Sequence, residues 1–270
     1  MADDVTDVQA YYDKRIEQEN GRLERHQIER DITWLYLDKY LPPRGKILDI
    51  GAATGAYAVP LAKKGYSVTA VDLSPKLIEV CKKRVKKEKL EKKVTCSVAD
   101  ARDLAGILET DYDAVLMMGP LYHLVLKEDR KTALKEAFHR LKKGGIIFSA
   151  FISRYGIWGD VMKNIPQMIK LQADLNSIIK RGRDSDNPSL EIQVRYYFAK
   201  VSDTIVLHKS MGFKKLVLAG IEPARVDDIS YNNLQGKIRQ LWLDLLFSIS
   251  TEKSIIGASN HLLYIGVKEK

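Results

Sequence analysis

From residue 46 to residue 151 short apolar runs alternate with amphipathic stretches, and this rhythm limits the fold more than any other feature of the chain. Runs at 46–50, 67–71, 94–98, 112–117 and 146–151 are rich in aliphatic residues and end in turn signals, so strands are expected there. Helices are predicted between them. One covers about 57–64 and is closed by Gly65. A second runs to about 87 and opens with Ser74 as N-cap and Pro75 at the first position. A third covers 128–141 and ends at Gly144-Gly145. Such alternation implies a doubly wound α/β domain, a mostly parallel sheet with helices on both faces.

Around this unit the pattern predicts a helical N-terminal cap over 1–44, with one long helical region from 8 to 40 that Leu41-Pro42-Pro43 stops. After residue 151 the rhythm breaks. Residues 154–200 hold Tyr155, Trp158, a polar loop at 181–189 and then Tyr196-Tyr197-Phe198, which is expected as a lid inserted into one domain spanning 1–270. Alternation resumes with a helix at 202–211, a strand at 216–219, a helix-rich stretch at 231–248 and a last strand at 261–267.

Two cysteines, Cys81 and Cys96, with no CxxC or HExxH spacing, read as reduced thiols rather than metal ligands. The acidic opening lacks the apolar core of a signal peptide, and no apolar run reaches 18 residues. A cytoplasmic protein without membrane contact is expected. The net charge of +9 is concentrated at 82–93, which reads either as a solvated helix face or as a footprint for nucleic acid. No aromatic residue interrupts that run, so it offers bases no stacking platform.

The chemistry is concentrated in Ile47-Leu48-Asp49-Ile50-Gly51-Ala52-Ala53-Thr54-Gly55, where an apolar strand enters a turn of tiny residues that opens a helix. Tiny side chains let a ligand approach the backbone, and a helix start presents free N–H groups. Asp72 ends the next strand, where a carboxylate suits the hydroxyls of a ribose lying across the sheet. A nicotinamide dehydrogenase and a methyltransferase both fit so far. The turn departs from G-x-G-x-x-G, and Asp49 would repel a pyrophosphate; it suits a ligand carrying an ammonium and a sulfonium.

Leu48 to Gly55 resembles motif I of the class I S-adenosylmethionine-dependent methyltransferases, with Ala53 where the family has its middle glycine. Val71-Asp72-Leu73-Ser74 resembles their second motif, and Ala99-Asp100-Ala101-Arg102 the third. Tyr112-Asp113-Ala114-Val115 and Leu141-Lys142-Lys143-Gly144-Gly145 are similar to the segments around strands four and five. The resemblance implies a seven-stranded Rossmann-like sheet and S-adenosylmethionine as cofactor. It would be held by Asp49, Gly51, Ala53, Gly55, Asp72, Leu73, Asp100 and Ala101, with Met118 and Gly119 beside the transferred methyl. More weakly, Tyr11-Tyr12-Asp13 with Glu19 and Arg22-Leu23 resembles the N-terminal lead of small-molecule members.

Beyond strand four comes Gly119-Pro120-Leu121-Tyr122-His123. Nucleobase amino-methyltransferases place Asn or Asp where Gly119 stands, which argues against an exocyclic base nitrogen as acceptor. Tyr122 and His123 are the expected acceptor-site residues, with His123 the general-base candidate because its ordinary pKa is near neutrality. His26, His139, His208 and His261 fall in regular patterns and read as structural. The reaction expected is methyl transfer to an O, N or S atom of a small molecule. Transfer RNA is the alternative acceptor, and a nicotinamide oxidoreductase or a non-catalytic binding module are the other classes.

Overall fold

The computed structural model describes residues 3–184 and 194–269, so residues 185–189 of the expected polar loop lie outside the described part. The N-terminal cap is four helices rather than one: α1 (Thr6–Asp13), α2 (Ile16–Asn20), α3 (Arg22–Arg25) and α4 (Gln27–Tyr40). Arg15, Gly21 and His26 leave helical geometry between them. α2 and α3 bury no residue of their own, so no continuous apolar stripe holds the first 26 residues in one rod.

The alternating unit follows: β1 (Lys46–Ile50), α5 (Ala58–Lys63), β2 (Ser67–Asp72), α6 (Pro75–Lys87), β3 (Val94–Val98), β4 (Tyr112–Met117), α7 (Lys127–Arg140) and β5 (Leu141–Ser153). β5 begins five residues earlier than expected; Leu141 pairs with Tyr112, and the register then shifts across Gly144, whose positive φ lets the chain bulge. Then come α8 (Trp158–Asn164), α9 (Gln172–Arg181), the two-residue β6 (Phe198–Ala199), α10 (Val201–Ser210) and β7 (Phe213–Gly220). The helix-rich stretch divides at Gly236 into α11 (Asp228–Asn232) and α12 (Gly236–Ile249), before α13 (Lys253–Ile256) and β8 (His261–Lys268).

Strand order is β3-β2-β1-β4-β5-β8-β7, with β6 paired to the end of β5 as an eighth strand. Only β8 runs against the rest. Alternate residues of each strand enter opposite cores. Ile47, Val68, Ala114 and Phe148 pack against α4, α5, α6 and α12, whereas Leu48, Val71, Val115 and Ile147 pack against α7 and α10. His208 is buried in the second core between the Ser149 hydroxyl (2.8 Å) and the Thr204 carbonyl (2.7 Å), stacked on Tyr264. Lys82, Lys83, Lys86 and Lys87 lie on the exposed face of α6, Lys83 paired with Glu79. No helix among the described residues is long and apolar enough to cross a membrane.

Candidate active site

The strand order reverses between β2-β1 and β4, and beyond the carboxyl ends of these strands lies a cavity. Its floor is the turn after β1. Gly51 (φ 77°) and Ala53 (φ 47°) are left-handed, and the Gly51 and Ala52 amides both donate to the Val71 carbonyl, at 2.8 and 2.9 Å. A Cβ at Gly51 would stand 2.6 Å from Pro120, so glycine lets the turns after β1 and β4 close on each other. For Ala53 the conformation costs about 1–2 kcal/mol.

Asp72 clamps this floor. Its Oδ2 accepts from the Ala53 amide (2.8 Å) and its Oδ1 from the Ser74 amide (2.9 Å). Burial pushes the carboxyl upward, and these two amides pull it back. Asp100 is held by Arg102, which also reaches Asp129. Gly51, Ala53, Asp72, Leu73, Asp100, Ala101, Met118, Gly119, Tyr122 and His123 all stand on the cavity wall. Two residues expected there do not. Gly55 lies behind the turn, packed so closely on Cys81 that a Cβ would come within 2.8 Å of its sulfur. Asp49 points to the α5 side of the sheet, buried, with neither carboxylate oxygen hydrogen-bonded. Burial, and then the charge of Asp72, push it up to about 7.

The cover of the cavity is the N-terminal segment. Val5, Val8, Gln9, Tyr12, Glu19, Arg22 and Leu23 complete the wall, and no described residue of 154–200 does so. Asp3 and Asp7 pair with Arg195, the Asp3 carbonyl accepts from Arg102, and Asp13 accepts from the Ser74 hydroxyl. The expected lid instead braces the site from behind. Tyr196 lies 4.9 Å from the His123 ring, and the Tyr197 amide donates to the Tyr122 carbonyl (2.7 Å).

His123 has a defined tautomer. Nδ1 faces the Arg195 carbonyl at 3.2 Å and must carry the proton, so Nε2 accepts from the Tyr12 hydroxyl at 2.6 Å. Burial lowers its pKa to about 4 and raises those of Tyr12 and Tyr122, the latter to about 12. At neutral pH His123 is an uncharged acceptor already engaged by Tyr12. Arg22, the one cation on the wall among the described residues, is fixed by two bonds to Glu29, at 2.9 and 2.8 Å. Behind it His261 Nδ1 lies 2.8 Å from Glu222 and 4.0 Å from Glu29. Burial opposes ionisation of Glu29, yet Arg22 and His261 hold it down at about 2. Tyr12, Glu19 and Arg22 are wall residues to which the sequence assigned no role; their only signal was the resemblance of the N-terminal lead.

This fold and this turn define a class, and the comparisons agree. Residues 47–145 match the family model described as a methyltransferase domain. Over these residues the chain is thus similar to a methyltransferase domain. Over 137 residues it is 28% identical to the tRNA 5-carboxymethoxyuridine methyltransferase of Escherichia coli, covering 48% of this chain and 51% of that one. It is 36% identical over 109 residues to a ubiquinone biosynthesis O-methyltransferase of Pelagibacter ubique, covering 40% and 42%. The chain thus spans about half the length of the curated relatives it matches. A SAM-dependent methyltransferase structure from Methanosarcina mazei shares the fold at a TM-score of 0.58 and 18% identity, over 86% of this chain and 96% of that one.

Proposed function

We propose that this chain transfers a methyl group from S-adenosylmethionine to an O, N or S atom of a compact acceptor in the cytoplasm. The observation that carries the reading is one cavity lined by the tiny-residue turn, Asp72 and Asp100 together with Tyr12, Tyr122 and His123. The residues suit the cofactor. The Thr54 hydroxyl, on the wall, is a buried polar group without a partner. Wall acids Glu19, Asp72 and Asp100 outnumber the one cation, Arg22, as a ligand with two positive centres and one carboxylate requires. Asp72 would hold the ribose, Leu73, Asp100 and Ala101 the adenine, and Arg22 the carboxylate. Two free thiols, Cys81 and Cys96, suit a reducing compartment.

When bound, S-adenosylmethionine presents an electrophilic methyl carbon on a sulfonium. The protein's part is to hold the nucleophile in line, which is worth about 7–11 kcal/mol in ideal cases. It must also take a proton if the acceptor carries one. We assign that role to the Tyr12–His123 pair: the acceptor's proton passes to the Tyr12 oxygen as the Tyr12 proton passes to Nε2. The wall that residues 5–23 add narrows the site, which supports a compact acceptor. Exposed lysines on α6 and the likeness to a tRNA methyltransferase favour RNA as the second reading.

The test is incubation with methyl-labelled cofactor and fractionated cell extract, with and without ribonuclease. Label in small solutes, insensitive to ribonuclease, is expected. Label removed by ribonuclease would establish the RNA reading in its place.

A further inference from the structure

α12 carries apolar side chains on two faces. Leu246 is buried, and Leu243, Phe247 and Ile249 pack beside it on the core that α4 shares. Arg239 turns the same way, to Asp31 at 2.7 Å. About a third of the helix circumference away, Ile238, Leu241, Trp242 and Leu245 are 57, 55, 48 and 51% exposed. Together they line one shallow groove. A single exposed leucine needs no explanation, but four adjacent apolar side chains including a tryptophan do. None of the four lines the cavity, so the active site does not account for them.

We propose that this face is an interface with a second copy of the same chain, formed by two α12 helices packed antiparallel about a two-fold axis. The spacing of the stripe is a palindrome about the midpoint between residues 241 and 242. A two-fold axis there sets Ile238 against the partner's Leu245, and Leu241 against the partner's Trp242. The charges agree with the same operation. Lys237 and Asp244 are exposed and lie on the solvent-side flank of the stripe, one toward each end. The axis keeps that flank on the same side in both copies. It brings Lys237 within two residues, about 3 Å along the helix, of the partner's Asp244, and does so twice.

Four half-exposed side chains of this size offer on the order of 400 Å² per copy. Two copies cover about half of a standard stable interface, so the dimer is weak and reversible. A membrane surface would call for lysines or arginines along the rim. Here the flank carries one charge of each sign, and Arg239 is turned inward to Asp31.

Sedimentation velocity of the full chain between about 1 and 200 μM tests this. A reversible monomer–dimer equilibrium is expected. Trp242→Asp should leave a monomer that still binds S-adenosylmethionine with unchanged affinity. Lys237→Asp and Asp244→Lys should each weaken dimerisation about tenfold, and the double reversal should return it to within about threefold. A wild-type monomer throughout the range overturns the proposal. So does a dimer indifferent to Trp242→Asp, or a double reversal no tighter than the single changes. Co-flotation of monomer with phosphatidylcholine vesicles, lost in Trp242→Asp, would assign the face to a membrane instead.

Discussion

Asp49 is buried with neither carboxylate oxygen hydrogen-bonded, and burial and the charge of Asp72 push its pKa from the ordinary 3.8 up to about 7. A carboxyl whose pKa is higher folded than unfolded contributes fully only below the unfolded value, and the contribution is lost as pH rises through 7. Asp49→Asn should therefore do little only near pH 3 and should stabilise the ligand-free protein more at pH 8 than at pH 5, by on the order of 2–3 kcal/mol. Urea midpoints at pH 5 and pH 8 check this, and an equal effect at both would contradict it. His123 makes the opposite prediction from the one its residue type suggests. With its pKa at about 4, loss of activity on acidification should centre near 4 rather than 6.5. Tyr12→Phe, which removes the proton link to Nε2, should lower kcat by about 10²–10⁴-fold with little change in cofactor affinity. A pH profile with its acid limb at 6.5, or an active Tyr12→Phe protein, would refute the pairing. Asp72 and the tiny turn were legible in the sequence because a parallel sheet places ligands at strand ends. Tyr12 was not, because its bond to His123 spans 111 positions and depends on how the N-terminal segment folds back.

Each strand expected from the apolar runs is present, and the buried parallel strands β1 and β4 leave the plainest aliphatic runs. The N-terminal cap was harder to read. Its periodicity is real in α4 but lapses before it, where helices of four or five residues are tied by short-range polar contacts such as Arg22–Glu29 and Glu24–Arg30 rather than by a stripe. Polar cover of this kind has no sequence period. Its attachment can be tested through Arg195, which bonds Asp7 at 2.8 Å and Asp3 at 2.7 Å. Arg195→Ala removes both pairs and leaves the Arg195 carbonyl to hold His123. These pairs are partly exposed, so a modest effect is expected: up to about tenfold faster amide exchange over residues 5–13 and faster release of cofactor. Exchange by mass spectrometry reads the effect, and unchanged rates would show that the apolar contacts of α1 suffice.

At the scale of the whole molecule, the doubly wound sheet fixes where chemistry can occur, and the N-terminal segment adds a wall to that open edge. The described residues of 154–200 serve as a brace, with Arg195, Tyr196 and Tyr197 behind Tyr122 and His123. An aromatic-rich insert reads the same in sequence whether it lines a site or buttresses one, and only the position of β6 beside the end of β5 decides between them. Calorimetric titration of S-adenosylmethionine into the full chain and into Asp72→Ala addresses the cofactor assignment without an acceptor. One site per chain is predicted, with affinity falling roughly 100-fold or more in Asp72→Ala, which removes the carboxylate proposed to hold the ribose. Equal affinity in both proteins, or no binding to the wild type where reduced nicotinamide cofactor binds, would contradict it.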